Sequence, residues 1–153
     1  MLKTITGKKM TDDNAKSNLT TSEINSIKNA IRKAATDHLN APDADSALSH
    51  YKPDATIISS GMLYKTFQLF EKDTREFYNS LKEVKLAVWE NIQIRVLSPE
   101  LALFNASVRW TSVDKAGSVL NLNGIWSAVY CLEEGNWKIL FRHESFEPGK
   151  QID

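Results

Sequence analysis

Apolar positions along this chain follow two rhythms. Between Leu19 and Leu81 they recur at helical spacing, and after Val84 they alternate with polar ones, as in strands. Ile24, Ile27, Ile31, Ala34, Ala35 and His38 share one side of a helix predicted over about 21–39. Its start is marked by Thr20 and Glu23, the spacing at which each side chain satisfies the other's free backbone N–H. Leu19 and Ile24 flank that cap as a hydrophobic staple, and Asn40-Ala41-Pro42 ends the helix. Asp43 can cap a second short helix carrying Ala44, Ala47, Leu48 and Tyr51, closed by Pro53. A first strand follows from Asp54 to Ser59, ended by Gly61, and Thr66 can cap a third helix bearing Phe67, Phe70, Phe77, Tyr78 and Leu81.

Residues 86–97, 101–113, 118–132 and 137–146 read as four long strands. The connections, Ser98-Pro99-Glu100, Asp114 to Gly117 and Glu133 to Asn136, are short enough to make the neighbours antiparallel. Alternation assigns faces. Phe104, Ala106, Val108 and Trp110 oppose Asn105, Ser107, Arg109 and Thr111; Leu120, Leu122, Trp126, Ala128 and Tyr130 oppose Asn121, Asn123 and Ser127. On the last strand Trp137, Ile139, Phe141, His143 and Ser145 oppose Lys138, Arg142 and Glu144. Strands this long twist and bend. The expected fold is α+β, with N-terminal helices packed on a strongly curved antiparallel sheet, and such a cone can leave a cavity that side chains do not fill.

Composition adds mainly exclusions. The 153 residues suit one domain, expected over 19–147 between a flexible tail at 1–18 and a short C-terminal tail at 148–153. Nineteen basic and nineteen acidic side chains cancel, with no basic stripe beyond Lys3, Lys8 and Lys9, so no nucleic-acid partner is expected. No apolar run is long enough to span a bilayer and no leader is evident, which makes the cytoplasm the default compartment. The single cysteine, Cys131, allows no intrachain disulfide. No cluster has metal-ligand spacing and no glycine-rich loop could cradle a phosphate, so neither metal nor cofactor is expected.

Several segments carry a resemblance to the NTF2-like superfamily, and within it the SnoaL-like group. They are Leu39-Asn-Ala with Asp43 and Asp45, His50-Tyr-Lys-Pro-Asp-Ala-Thr, Gly61 with Tyr64, Leu101-Ala-Leu-Phe, and Gly135-Asn-Trp-Lys-Ile-Leu-Phe-Arg-His-Glu-Ser. The resemblance covers about residues 20–147. It implies a cone-shaped α+β barrel, a small organic ligand in the cone, and a homodimer through the outer sheet face. Activities in the group include isomerases, dehydratases and cyclases, alongside non-catalytic transport and oligomerisation modules. The positions that hold the donor tyrosine and the base aspartate of the steroid isomerases hold Ala35 and Ser59 here. The late-strand aspartate of SnoaL itself has no counterpart, because no aspartate lies between Asp114 and Asp153, and Asn121 and Asn123 are no bases.

Candidate chemistry therefore rests on few groups. Of three histidines, His38 and His50 read as capping or packing residues at helix ends. His143, on the apolar face of the last strand, is the candidate acid/base, since imidazole titrates near neutrality. Arg109 is a candidate anion anchor. Alternation turns it outward, whereas the kinase-hub branch of the superfamily has a pocket-facing arginine at the matching place, so both orientations stay open. Tyr64, Trp89, Trp110, Trp126 and Tyr130 are candidate walls for a flat or apolar ligand, although aromatics at strand period are more often plain core. The expected function is small-molecule binding with or without cofactor-independent proton transfer; the alternative is a non-catalytic dimerisation or partner-binding module.

Overall fold

A computed structural model of the chain describes residues 18–147; the two expected tails, with Lys3, Lys8, Lys9 and Asp153, fall outside the described residues apart from Asn18. Helix α1 (Thr21–Leu39) starts where the capping box predicts. Glu23 N donates to Thr20 Oγ1 at 3.1 Å and Thr20 N donates to Glu23 Oε2 at 2.7 Å. Asp43 caps α2 (Ala44–Leu48) through Ser46 N at 2.7 Å, and Thr66 caps α3 (Phe67–Ser80). These starts are local events, each satisfying a backbone donor that the helix leaves free.

Between the helices and after them run β1 (Tyr51–Ser59), β2 (Met62–Leu63), β3 (Leu81–Ser98), β4 (Leu101–Asp114), β5 (Val119–Glu133) and β6 (Asn136–Phe146). They form one sheet in the order β2-β1-β6-β5-β4-β3. The β5–β6 turn is Glu134-Gly135, both at positive φ (50° and 79°), the geometry a tight hairpin requires. Several expectations change, and one is that Leu81 opens β3 instead of closing α3, five residues before the expected start at 86. Strand β1 begins at Tyr51, before Pro53, which sits where the β1 ladder is irregular and no N–H is needed. And β1 runs parallel to β6, because it is reached from the far end of the chain rather than by a hairpin, so the sheet is mixed.

Curvature comes from irregular pairing. Strand β3 shifts register against β4 at four places, one beside Asn91, whose φ of 52° marks a bulge. Helices α1 and α3 close the concave side, burying Ile31, Ala35 and Phe70 against Phe104, Trp126, Ala128, Tyr130 and Ile139. At the end of the β5–β6 pairing the two strands approach so closely that a Cβ on Gly124 would stand 2.1 Å from the Ser145 carbonyl oxygen.

The β4–β5 ladder runs unbroken from Leu101↔Cys131 to Val113↔Val119, and its faces are those the alternation predicts. Strand β6 departs from its expected phase. Tyr130 pairs with Ile139 but Val129 pairs with Phe141, leaving Leu140 as an extra residue. A one-residue slip sends every following side chain to the other face. Arg142, opposite Ala128, and Glu144, opposite Trp126, thus turn into the cone, while His143, opposite Ser127, turns out.

Candidate functional site

Between the sheet and helices α1 and α3 lies a cavity of about 380 Å³. Its walls are chiefly aromatic. Trp89 and Trp126 stand 5.2 Å apart by ring centroid, and Trp89 is anchored by donating from Nε1 to the Ala35 carbonyl at 3.1 Å. Phe77 leans on Trp110 at 6.1 Å, and Tyr64 meets Phe70 edge-on at 5.6 Å.

The polar part of the wall centres on Arg142, which is only 7% exposed. Its Nη1 donates to Tyr51 Oη at 3.0 Å and its Nη2 to Glu144 Oε1 at 2.8 Å, and the guanidinium carbon sits 4.8 Å from the Phe70 ring centroid. Ser59 Oγ donates to the same Glu144 oxygen at 2.8 Å. Neighbouring strands bring these groups together: β1 lies beside β6 with Ile57 opposite Arg142 and Ser59 opposite Glu144. Burial pushes the Tyr51 phenol up to about 12, against the opposing pull of Arg142, so it stays protonated.

At the exposed end of the cavity Tyr64 Oη donates to Asp73 Oδ2 at 2.8 Å, and burial with this bond lifts the Tyr64 phenol to about 12. On the α1 side, the His38 ring packs among His50, Tyr51 and Trp126 at 5.2–5.6 Å. Burial, then the nearby Arg142 charge and His50, push its pKa down to about 3, so the imidazole is neutral. Three buried nitrogens of cavity-lining residues have no partner among the described residues: Arg142 Nε, Trp110 Nε1 and His38 Nδ1.

Of the residues the sequence singled out, Tyr64, Trp89, Trp110 and Trp126 line this cavity. Tyr130 is fully buried behind it, in the core rather than in the wall. His143 is corrected, and of the two orientations open to Arg109 the structure has the outward one. His143 is exposed on the outer face because of the β6 bulge. Arg109 also points outward, as its alternation indicated, and its Nε and Nη2 donate to Glu90 Oε1 at 3.0 and 2.6 Å. Alternation puts Arg142 and Glu144 on the outward, polar face of β6, and Asp73 is not among the residues the sequence singles out; His38 lies inward, on the apolar side of α1 where the helical spacing puts it. No run in the sequence marks the slip: Ile139-Leu140-Phe141 is apolar throughout, but so are Leu101–Phe104 and Ala128–Cys131 on the unbroken β4–β5 ladder. Among the described residues no group of three or more His, Cys, Asp or Glu could hold a metal ion, and no helix is long and apolar enough to cross a membrane.

No family model matches the chain, and no curated protein matches it in sequence. Solved structures do match in shape. A candidate scytalone dehydratase from Novosphingobium aromaticivorans superposes with a TM-score of 0.75 at 14% identity, covering 84% of this chain and 89% of that one. A candidate NTF2-like dehydratase from Streptomyces avermitilis gives 0.70 at 12% identity, covering 82% and 99%. A candidate calcium/calmodulin-dependent protein kinase II association domain from Xanthomonas campestris gives 0.64 at 18% identity, covering 80% and 86%. At these identities the likeness is one of fold: the chain has the NTF2-like, cystatin-like α+β fold.

Proposed function

We propose that this NTF2-like domain binds a small, largely apolar organic molecule inside its cone. The observation that carries this reading is the cavity itself: Trp110, Trp126 and Phe70 wall it rather than plug it. Apolar surface removed from water drives such binding, and a few polar groups orient the ligand. Turnover, on this reading, is cofactor-independent proton transfer of the isomerase, dehydratase or cyclase type, a class supported by the two dehydratase-named neighbours. Asp73, at the exposed end, is the carboxylate open to a ligand's proton, since Glu144 is held by Arg142 and Ser59. His38, with its pKa near 3, is neutral and is not the base.

The test is thermal-shift screening against neutral bicyclic and steroid-like compounds, in the parent and in Val108→Phe, which fills the cavity from its β4 wall. Stabilisation by a compound in the parent and its loss in the filled variant support the reading. A filled variant that responds as the parent does rejects the cavity as the site.

A second reading, compatible with the first, is homodimerisation through the outer sheet face. Leu103, Val129 and Phe141 align there across three strands, and Ile125 is 52% exposed beside Ser107 and Ser145. The association-domain neighbour supports it. Ile125→Arg with Val129→Arg is expected to halve the mass seen by light scattering; an unchanged mass rejects this face as the interface.

A further inference from the structure

We propose that Trp110 sets the length of ligand the cone accepts, by closing the cone off from a second cavity behind it. The proposal rests on the ligand-binding reading and adds a specificity-determining residue to that site.

The second cavity, of about 350 Å³, lies between the C-terminal end of α1 and the start of β3, with Pro42, Leu81 and Val84 among its walls. Local structure explains the space. Asn40-Ala41-Pro42 leads the chain away from the end of α1, and β3 shifts register against β4 twice close by, between Leu81 and Glu83 and between Val84 and Leu86. A strand bends where it carries such irregularities. Asn40, Lys82 and Glu83 line the space and are exposed, so it opens to water.

Three side chains line both cavities: Leu39 from α1, Tyr78 from α3 and Trp110 from β4. The partition is thus one layer of side chains, and Trp110 is the largest of them. Bulk alone holds it there. Trp89 is pinned by its hydrogen bond to the Ala35 carbonyl, whereas Trp110 Nε1 is buried without a partner among the described residues and its ring leans on Phe77. On the β3 side, toward the second cavity, its cross-strand neighbour is Ala87, too short to take the place of an indole. Shortening Trp110 therefore joins two spaces of similar volume. An apolar chain gains affinity with each methylene it buries and nothing for one that finds no room, so the partition acts as a limit on chain length.

The 1-alkanols from hexanol to dodecanol, titrated by calorimetry, read that limit. In the parent each added methylene is expected to tighten binding about fourfold until the chain meets Trp110, after which affinity levels off. In Trp110→Leu the break is expected at least about two methylenes later. Adding Val84→Phe to that variant fills the second cavity from β3 and is expected to return the break to the parent's length. Tyr78→Leu thins the same partition from α3 and is expected to move the break in the same direction, which carries the test if Trp110→Leu does not fold. A break at one length in the parent and in both opened variants overturns the proposal. So does affinity that climbs unbroken through the parent's series, or a moved break that Val84→Phe does not restore; each leaves the cavity reading standing. No alkanol binding by the parent, together with a blank thermal-shift panel, removes both.

Discussion

Two arginine–glutamate pairs stand on opposite faces of the same sheet, and their contrast shows how strongly position governs a charge. Arg109–Glu90 bridges β4 and β3 on the outside at 2.6 Å, with side chains 50% and 44% exposed. Arg142–Glu144 sits on β6 inside the cone at 2.8 Å, with 9% and 17% exposed. The distances barely differ. Water screens the first pair, so it contributes little to stability and is free to meet solvent or a partner. The second has lost its water, and each member depends on the other and on Tyr51 and Ser59. Of the two pairs, only the inner one holds a nitrogen, Arg142 Nε, that is buried without a partner among the described residues.

The contrast can be broken most forcefully by truncation. Arg142→Ala leaves Glu144 buried without its partner and is expected to lower unfolding free energy by about 3–5 kcal/mol, whereas Arg109→Ala is expected to cost under about 1 kcal/mol, both read from urea denaturation. Equal losses would mean that the two environments do not differ energetically.

Acidification probes the same interior. His38 has a folded pKa of about 3 against an ordinary 6.5, so the unfolded chain binds its proton first as pH falls. The stabilisation is complete above about pH 6.5 and is lost progressively below it, by about 2 kcal/mol between pH 7 and pH 5. His50, also lowered by burial foremost, adds to the slope with the same sign. Denaturation at the two pH values should show this loss, reduced in His38→Leu; an unchanged slope in that variant would place the titration elsewhere.

Salt gives the smallest effect and the sharpest separation. In double-mutant cycles, raising ionic strength from about 0.05 M to 0.5 M should weaken the Arg109–Glu90 coupling by a few tenths of a kcal/mol and leave Arg142–Glu144 nearly unchanged. A salt-sensitive inner pair would indicate that the cavity is as wet as the surface.

Much of this architecture is legible along the chain, for identifiable reasons. Thr20 with Glu23, and Asp43 with Ser46, close hydrogen bonds within four residues, so the helix starts need nothing distant. The faces of β4 and β5 follow from alternation because their ladder carries no slip, so Trp110 and Trp126 stand on the side that alternation gives them. His143 was misplaced for the opposite reason. The bulge at Leu140 exists only in the pairing of β6 with β5, and alternation carried past it assigns every later residue to the wrong side. Tyr130 lies on the face that alternation assigns, but how deep it lies depends on the helices above it.

The sequence by itself determined where helices begin and which hairpins must be antiparallel, because those features are set by hydrogen bonds and sterics among near neighbours. Only the tertiary structure decided that β1 lies parallel beside β6, that Arg142 and Glu144 turn inward, and that a cavity is left between them and the aromatic walls. Each of these is a matter of register between segments far apart in the chain. A shift of one residue there exchanges inside for outside, and no local preference records it.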